Sequence, residues 1–444
     1  MSETVKTVTE SSVRDIARRA KAASRLLASL PGVRRNEVLY AAADEIEARR
    51  DEIISANEID CRMAARDVEQ GSMSRALFER LQTSERGIRQ MAAGVREVAA
   101  LEDPLGRELA VTELDDGLTL YKVTCPLGVV GVIFEARPDV ISQVSALALK
   151  SGNALLLKGG AEAVRTNETL ISIWRDALFR FPDVPVDALN LLYTRADVGE
   201  MLTCHQEIDL IIPRGSSELV RYISEHSRIP VLGHGEGVCH IYVDRAADLR
   251  KALDVTLDAK TQYPAACNAA ETLLVHEEAA SEFLPEMVAR LHDAGVEVRG
   301  CARTIELARS RDILPASEED WRTEYSDLII SIKVVASCKE AIEHINTFGS
   351  RHTEAIMTED ARTAALFMES IDAASVFHNA STRFADGFRY GLGAELGISN
   401  GKLHARGPVG LEGLTTYKYK LIGDGHMVAT YGKGERSFKH KRLK

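Results

Sequence analysis

The sequence has no CxxC pair, no HExxH run and no EF-hand loop, which removes the usual zinc and calcium patterns. It also lacks GxGxxG and the P-loop, disfavouring the usual dinucleotide and ATP folds. No apolar run approaches the ~20 residues of a membrane helix, and the opening MSETVKTVTESSVRD has no apolar segment of a secretory signal. Basic charge is in deficit: 55 Lys and Arg stand against 66 Asp and Glu, and the net charge of -11 argues against a nucleic-acid-binding surface. The 7 cysteines are scattered and odd in number, so a disulfide framework is disfavoured and a reducing cytoplasm is the expected compartment.

What is present is core material. The chain has 444 residues, of which 45% are hydrophobic. It exceeds the roughly 250–300 residues at which one core stops growing, so at least two domains are expected. From Ser12 to about Val98 apolar residues recur at helical spacing, as at Ile16, Ala20, Ala23 and Leu27, and predict a helical opening segment. VTELDDGLTLYKVTCPLG alternates around Asp115-Asp116-Gly117 and predicts a hairpin over 109–125. Short apolar runs then alternate with helical segments in two blocks. VVGVIF, ALLLKGG, ALNLLY, DLIIP and PVLG form the first; CHIYVD, ETLLVH, VEVRG, DLIISIKVV, AIMT and ASVFHN form the second. That alternation predicts an α/β fold with parallel sheets covered on both faces. Beyond Gly387 the chain is glycine-rich and suits closely packed loops. LTTYKYKLIG reads as a strand, and the basic tail GKGERSFKHKRLK reads as disorder.

Parallel sheets hold ligands beyond the carboxyl ends of their strands, so strand-exit turns come first. Lys158 closes one apolar run ahead of Gly159 and Gly160, where a cofactor can approach the backbone; a solvated loop lysine is the plain alternative. Gly215 and Ser216 open a helix in PRGSSELV, whose free amides suit a phosphate, although Gly-Ser is also an ordinary N-cap. Arg137 puts a positive charge in the turn after VVGVIF, as a surface arginine also would. Cys267 lies among Ala265, Ala266, Ala269 and Ala270, which leave room for a substrate at a nucleophilic thiol. A small core cysteine fits the same neighbours, and the local sequence leaves both readings open. His234, His240 and His276 have no ligand spacing and read as structural.

The segments PLGVVGVIFEARPDV, SGNALLLKGG, PRGSSELV, VLGHGEGVCHIYVD, YPAACNAAETLLVH and FHNASTRFADGFRYGLGAELGIS decide between these readings together. Through them the chain resembles the aldehyde dehydrogenase superfamily from about Ser12 to Gly432. The resemblance implies an aldehyde dehydrogenase-like α/β fold of two parallel-sheet domains plus a small β oligomerisation arm. Residues 1–108 and 126–235 would bind the cofactor, 236–408 would form the catalytic domain, 109–125 and 409–432 the arm, and 433–444 a disordered tail. It implies that Cys267 is the nucleophile and that backbone amides near it, with Asn268, hold the oxyanion. By the same resemblance Lys158 approaches the adenosine ribose, Gly215 and Ser216 the pyrophosphate, and Glu324 the nicotinamide ribose.

The departures from ordinary members carry further expectations. VLGHGEG stands where those enzymes have ELGG, so the glutamate that activates water is missing, which suits a thioester that takes hydride. Arg137 stands where they have asparagine, and a cation suits the doubly negative leaving group of an acyl phosphate. The resemblance thus implies reduction of L-glutamate 5-phosphate to L-glutamate 5-semialdehyde, with release of phosphate, in proline biosynthesis. NAD-preferring relatives carry an acid three residues after the lysine; Ala161 is there instead, nothing obvious repels a 2'-phosphate, and NADPH is the expected cofactor. Glutamate 5-kinase is an expected partner, and a homo-oligomer of at least a dimer is expected, with no metal, membrane or nucleic acid. The substrate's amino and carboxylate groups are expected within Asn379 to Arg389. Rival readings are NAD(P)-dependent oxidation of a free aldehyde, for which Glu236 is the nearest water-activating carboxylate, and a catalytically silent scaffold.

Overall fold

The computed structural model describes residues 12–444 apart from His234 and Arg311. It divides into two units: the first runs to Leu232 and adds Gly393–Leu396 and Gly410–Lys444; the second comprises Gly233–Leu392 and Gly397–Val409.

The first unit opens with the helices Val13–Leu27, Gly32–Ala48, Arg50–Glu69, Arg75–Leu81 and Glu85–Ala100. Ser12 caps the first by accepting the N–H of Asp15, and Val13, Ala17, Ala20, Ala23 and Leu27 form its buried stripe. Its parallel sheet has the order Leu189–Leu192, Ala154–Lys158, Val129–Phe134, Leu210–Arg214. Val129–Phe134 and Ala154–Lys158 are buried at every position, as strands covered on both faces must be. From Val129–Phe134 the chain first builds outward on one side and later returns to place Leu210–Arg214 on the other. The exits of these two strands therefore flank the switch in strand order, where open α/β sheets hold ligands. PVLG, expected as a further strand, contributes only an isolated bridge from Val231 to Ile211. Pro230 has no N–H to extend the ladder.

An antiparallel sheet in the same unit joins Thr415–Ile422, Leu118–Pro126, Glu108–Asp115 and Lys441–Arg442 in that order. Gly117, at φ 71, makes the expected turn between the hairpin strands. The tail was expected to be disordered, and the structure corrects this. Lys439 N donates to Leu114 O at 2.7 Å and Leu443 N to Val111 O at 2.8 Å. The charges that read as disorder are paired: Arg436 lies 3.5 Å from Asp115, Lys439 pairs with Asp116, and Phe438 stacks on Tyr431 at 4.3 Å.

The second unit holds a seven-stranded parallel sheet in the order Leu314–Pro315, Glu297–Gly300, Ile329–Val335, Ala270–His276, Cys239–Val243, Thr353–Met357, Ser375–His378. Alternate residues of Ala270–His276 serve opposite cores. Leu273 and Val275 pack with Phe283, Leu284 and Met287 of the helix Glu277–Asp293; Leu274 packs with Ile345 and Phe367. Two charges interrupt this apolar interior. Lys260, near the end of the helix Leu249–Thr261, lies 2.6 Å from Glu271, and both side chains are fully buried. The pair spans the turn that carries Cys267. Burial pushes Glu271 up to about 7 and lowers Lys260, while each partner opposes the other's shift.

Lys260→Met alone strands a buried carboxylate and should cost about 3–5 kcal/mol in urea unfolding, with Glu271→Leu added to it restoring wild-type stability or better. Folding raises the Glu271 pKa above its ordinary value, so its contribution is present below that value and lost as pH rises through about 7. The deficit of Lys260→Met should therefore shrink on acidification; a pH-independent deficit would contradict this account.

Candidate active site

At the switch in the first unit, Glu135, Ala136 and Arg137 leave the strand Val129–Phe134. Glu135 N donates to Arg214 O at 3.2 Å, and the Glu135 carboxylate accepts the N–H of Ser216 at 3.0 Å. The turn carrying Arg137 is thereby joined to Gly215 and Ser216. Ala136 is held at φ 39, and its N–H donates to Glu162 at 2.6 Å. Arg137 is half-buried, and its guanidinium has no hydrogen bond or ion pair among the described residues. A Cβ on Gly215 would stand 2.3 Å from the Glu135 carboxylate and 2.8 Å from Leu219, so a side chain there would have to displace both. Ser216 does cap the helix Ser217–His226, accepting the N–H of Leu219 at 3.4 Å.

Lys158, the last residue of Ala154–Lys158, is 9% exposed, and its ammonium makes no hydrogen bond among the described residues. Burial lowers its pKa, against the charge of Glu162. The expectation that nothing obvious repels a 2'-phosphate looked only at Ala161, and Glu162 stands beside it. Ala161 begins a short 3-10 turn, which brings Glu162, one residue later, into charge range of Lys158. A nearly buried cation, glycines at the strand exit and a helix start together fit a polyanionic nucleotide.

Cys267, in the second unit, precedes its strand and lies at the amino edge of the sheet. The strand-exit rule therefore does not locate it. Other strand starts converge here: Gly237 precedes Cys239–Val243, and Glu324 and Ser326 precede Ile329–Val335. A Cβ on Gly237 would lie 2.0 Å from the carbonyl oxygen of Cys267. Gly237 N donates to Glu324 at 2.8 Å, and the thiol of Cys239 donates to the Cys267 carbonyl at 3.3 Å. Cys239 is fully buried, which pushes its thiol well up, whereas Cys267 is only half-buried. Of these neighbouring thiols, Cys267 is the reachable one.

Asn268 is 3% exposed and donates its side-chain amide to Ala385 O at 2.8 Å, tying the cysteine turn to the turn Thr382–Phe384. Its main-chain N–H has no partner among the described residues and remains available to an oxyanion. From the expected polar segment the structure singles out Arg383. Its Nε donates to Gln262 at 2.9 Å, its guanidinium lies 5.8 Å from the Tyr263 ring centre, and its charge and that of Cys267 act on each other. No spacing connects positions 262 and 383, so the sequence carried no signal for this pairing.

The other acids and histidines have different duties. Glu236 is exposed, and Glu271 is engaged by Lys260 and by Ser326 N. His240 is buried against Glu354 at 2.9 Å, and His276 caps the helix Glu277–Asp293; His234 lies outside the described residues. Among the described residues no group of three or more His, Cys, Asp or Glu could hold a metal ion.

Residues 1–299 match the profile of the aldehyde dehydrogenase family. The chain belongs to the aldehyde dehydrogenase family. It is 54% identical over 423 residues to a gamma-glutamyl phosphate reductase from a Synechococcus species, covering 95% of this chain and 92% of that one. The gamma-glutamyl phosphate reductase of Thermotoga maritima, solved by crystallography, is 42% identical with a TM-score of 0.90, covering 94% of this chain and 100% of that one. A glyceraldehyde-3-phosphate dehydrogenase from Methanocaldococcus jannaschii, solved with NADP, shares the fold at 19% identity and TM-score 0.62, covering 95% and 97%. The aldehyde dehydrogenase fold expected from the sequence is the fold observed, and the chain is an oxidoreductase of that family.

Gly237→Ala forces a side chain into the main chain of Cys267, and displacements of about 1 Å cost on the order of 100-fold in rate. Turnover should fall by at least that factor while the melting temperature stays within a few degrees. Unchanged turnover would show that this contact does not set the cysteine turn.

Proposed function

We propose that the chain reduces L-glutamate 5-phosphate to L-glutamate 5-semialdehyde with NADPH, releasing phosphate, in the proline-biosynthetic pathway of the cytoplasm. The observation that carries this reading is a reachable Cys267, held from behind by Gly237, in a chain 54% identical to a protein bearing the corresponding name. The Cys267 thiolate attacks the acyl carbon; the C–S bond forms, the C–O bond to phosphate breaks, and a thioester results. The N–H of Asn268 holds the oxyanion, and Arg137 supplies a cation for the leaving phosphate. Lys158 is assigned to the adenosine ribose, Gly215 and Ser216 to the pyrophosphate and Glu324 to the nicotinamide ribose. A reduced nicotinamide, when bound, supplies the hydride that releases the aldehyde.

The acids near Cys267 support hydride over water. Glu271 is buried and engaged, and the chain has no ELGG glutamate. Ala161, three residues after Lys158, supports NADPH; Glu162 brings an opposing charge, with one of its oxygens held by the N–H of Ala136. The edge strand Thr415–Ile422 exposes Tyr417, Tyr419, Leu421 and Ile422, which supports a homodimer built through the arm. Glutamate 5-kinase is the proposed supplier of the acyl phosphate.

The test runs the reaction backwards, with L-glutamate 5-semialdehyde, with and without phosphate, and with NADP and NAD in turn. Phosphate-dependent reduction of NADP is expected, and Cys267→Ala should fall to background. Oxidation independent of phosphate would favour the free-aldehyde reading, and equal activity of Cys267→Ala would remove the nucleophile.

A further inference from the structure

We propose that Arg383 binds the α-carboxylate of the substrate and thereby selects it over aldehydes that lack one. The inference rests on the reaction proposed above and adds a residue to it. Arg383 is 8% exposed, and its only hydrogen bond among the described residues runs from Nε to Gln262 at 2.9 Å. Neither terminal nitrogen has a hydrogen-bond or ion-pair partner among the described residues. A guanidinium enclosed to this degree without a counter-ion is costly, and the cost is offset when an anion arrives. Burial accordingly lowers its pKa, opposed by the negative charges of Cys267, Asp386 and Asp258 and reinforced by Arg389.

The surroundings fix how that anion must look. Gln262 takes the Nε edge, Tyr263 lies beside the guanidinium, and Arg389 donates to the Arg383 carbonyl, bracing its main chain. The edge left over is the Nη1–Nη2 fork, which suits two oxygens of one oxyanion. A thiolate offers one acceptor atom, so it cannot take the two parallel N–H bonds that a pair of oxygens takes. Phosphate and carboxylate both can, but they have different histories in the reaction. Phosphate departs halfway, so a buried, immobile cation would hold back the leaving group. The α-carboxylate remains on the molecule from acyl phosphate through thioester to aldehyde, and one fixed cation serves every stage.

The reverse reaction separates these roles in wild type, Arg383→Gln and Arg383→Lys. Truncating one partner of a buried charge pair predicts that Arg383→Gln raises the KM for the semialdehyde by about 100-fold, leaves the KM for phosphate within about twofold, and abolishes the preference over butyraldehyde. Arg383→Lys, which keeps the charge but not the fork, should recover part of that loss, and it stands in should Arg383→Gln prove unfolded. A raised KM for phosphate, or a lowered kcat with both KM values unchanged, would overturn the proposal. A second measurement needs no turnover: L-glutamate should slow alkylation of Cys267 by iodoacetamide in wild type and not in Arg383→Gln. Retained protection in that variant overturns the carboxylate assignment. Loss of protection in an enzyme without phosphate-dependent activity would uphold Arg383 and reject the reaction instead.

Discussion

The ion pair between Lys260 and Glu271 fastens both ends of the turn that carries Cys267. Lys260 lies near the end of the helix that leads into the turn, and Glu271 is the second residue of the strand that leaves it. With those ends joined, the intervening loop has little room to move. Its remaining freedom is removed from behind: Gly237 lies against the Cys267 carbonyl, the Cys239 thiol donates to the same oxygen, and the Glu324 carboxylate holds the N–H of Gly237 in turn. Breaking the pair would loosen the helix, the strand and Cys267 together. A buried ion pair is a poor source of net stability, but it specifies one arrangement of the groups it joins.

The units also differ in how they treat their polar main chain. At the strand exits of the first unit, carboxylates already occupy backbone amides: Glu135 on Ser216 and Glu162 on Ala136. The amino edge of the second sheet leaves the N–H of Asn268 without a partner among the described residues, and the guanidinium fork of Arg383 is unpaired there as the cations of Lys158 and Arg137 are at the first. Satisfied groups hold shape; unsatisfied ones create affinity for what the chain does not contain.

Much of this was legible in local sequence. Fully buried strands announced themselves as continuous apolar runs, and Asp115-Asp116-Gly117 marked the hairpin because only a turn tolerates that backbone. Lys158, Arg137 and Gly215 could be singled out because strand exits are recognisable where an apolar run meets glycine, proline and charge. Cys267 was harder. Its small neighbours suit core and site alike, and it stands at the opposite sheet edge from the one the general rule indicates. Glu162 was missed because position was counted along the chain, whereas the 3-10 turn at Ala161–Ala163 decides which residue faces Lys158. Arg383 had no local signal, since the residues that make it meaningful lie more than a hundred positions earlier. The tail misled because composition shows charges but not their partners, and Asp115 and Asp116 are supplied by a distant hairpin.

That returning tail limits how the small antiparallel sheet can grow. One margin, Thr415–Ile422, is eight residues long and rich in exposed apolar side chains. The other is closed by a strand of two residues, Lys441–Arg442, both cationic. Short, charged margins discourage edge-to-edge addition. A sheet able to recruit at both margins could stack without end, copy upon copy. A sheet that recruits at one margin forms a closed pair and then stops.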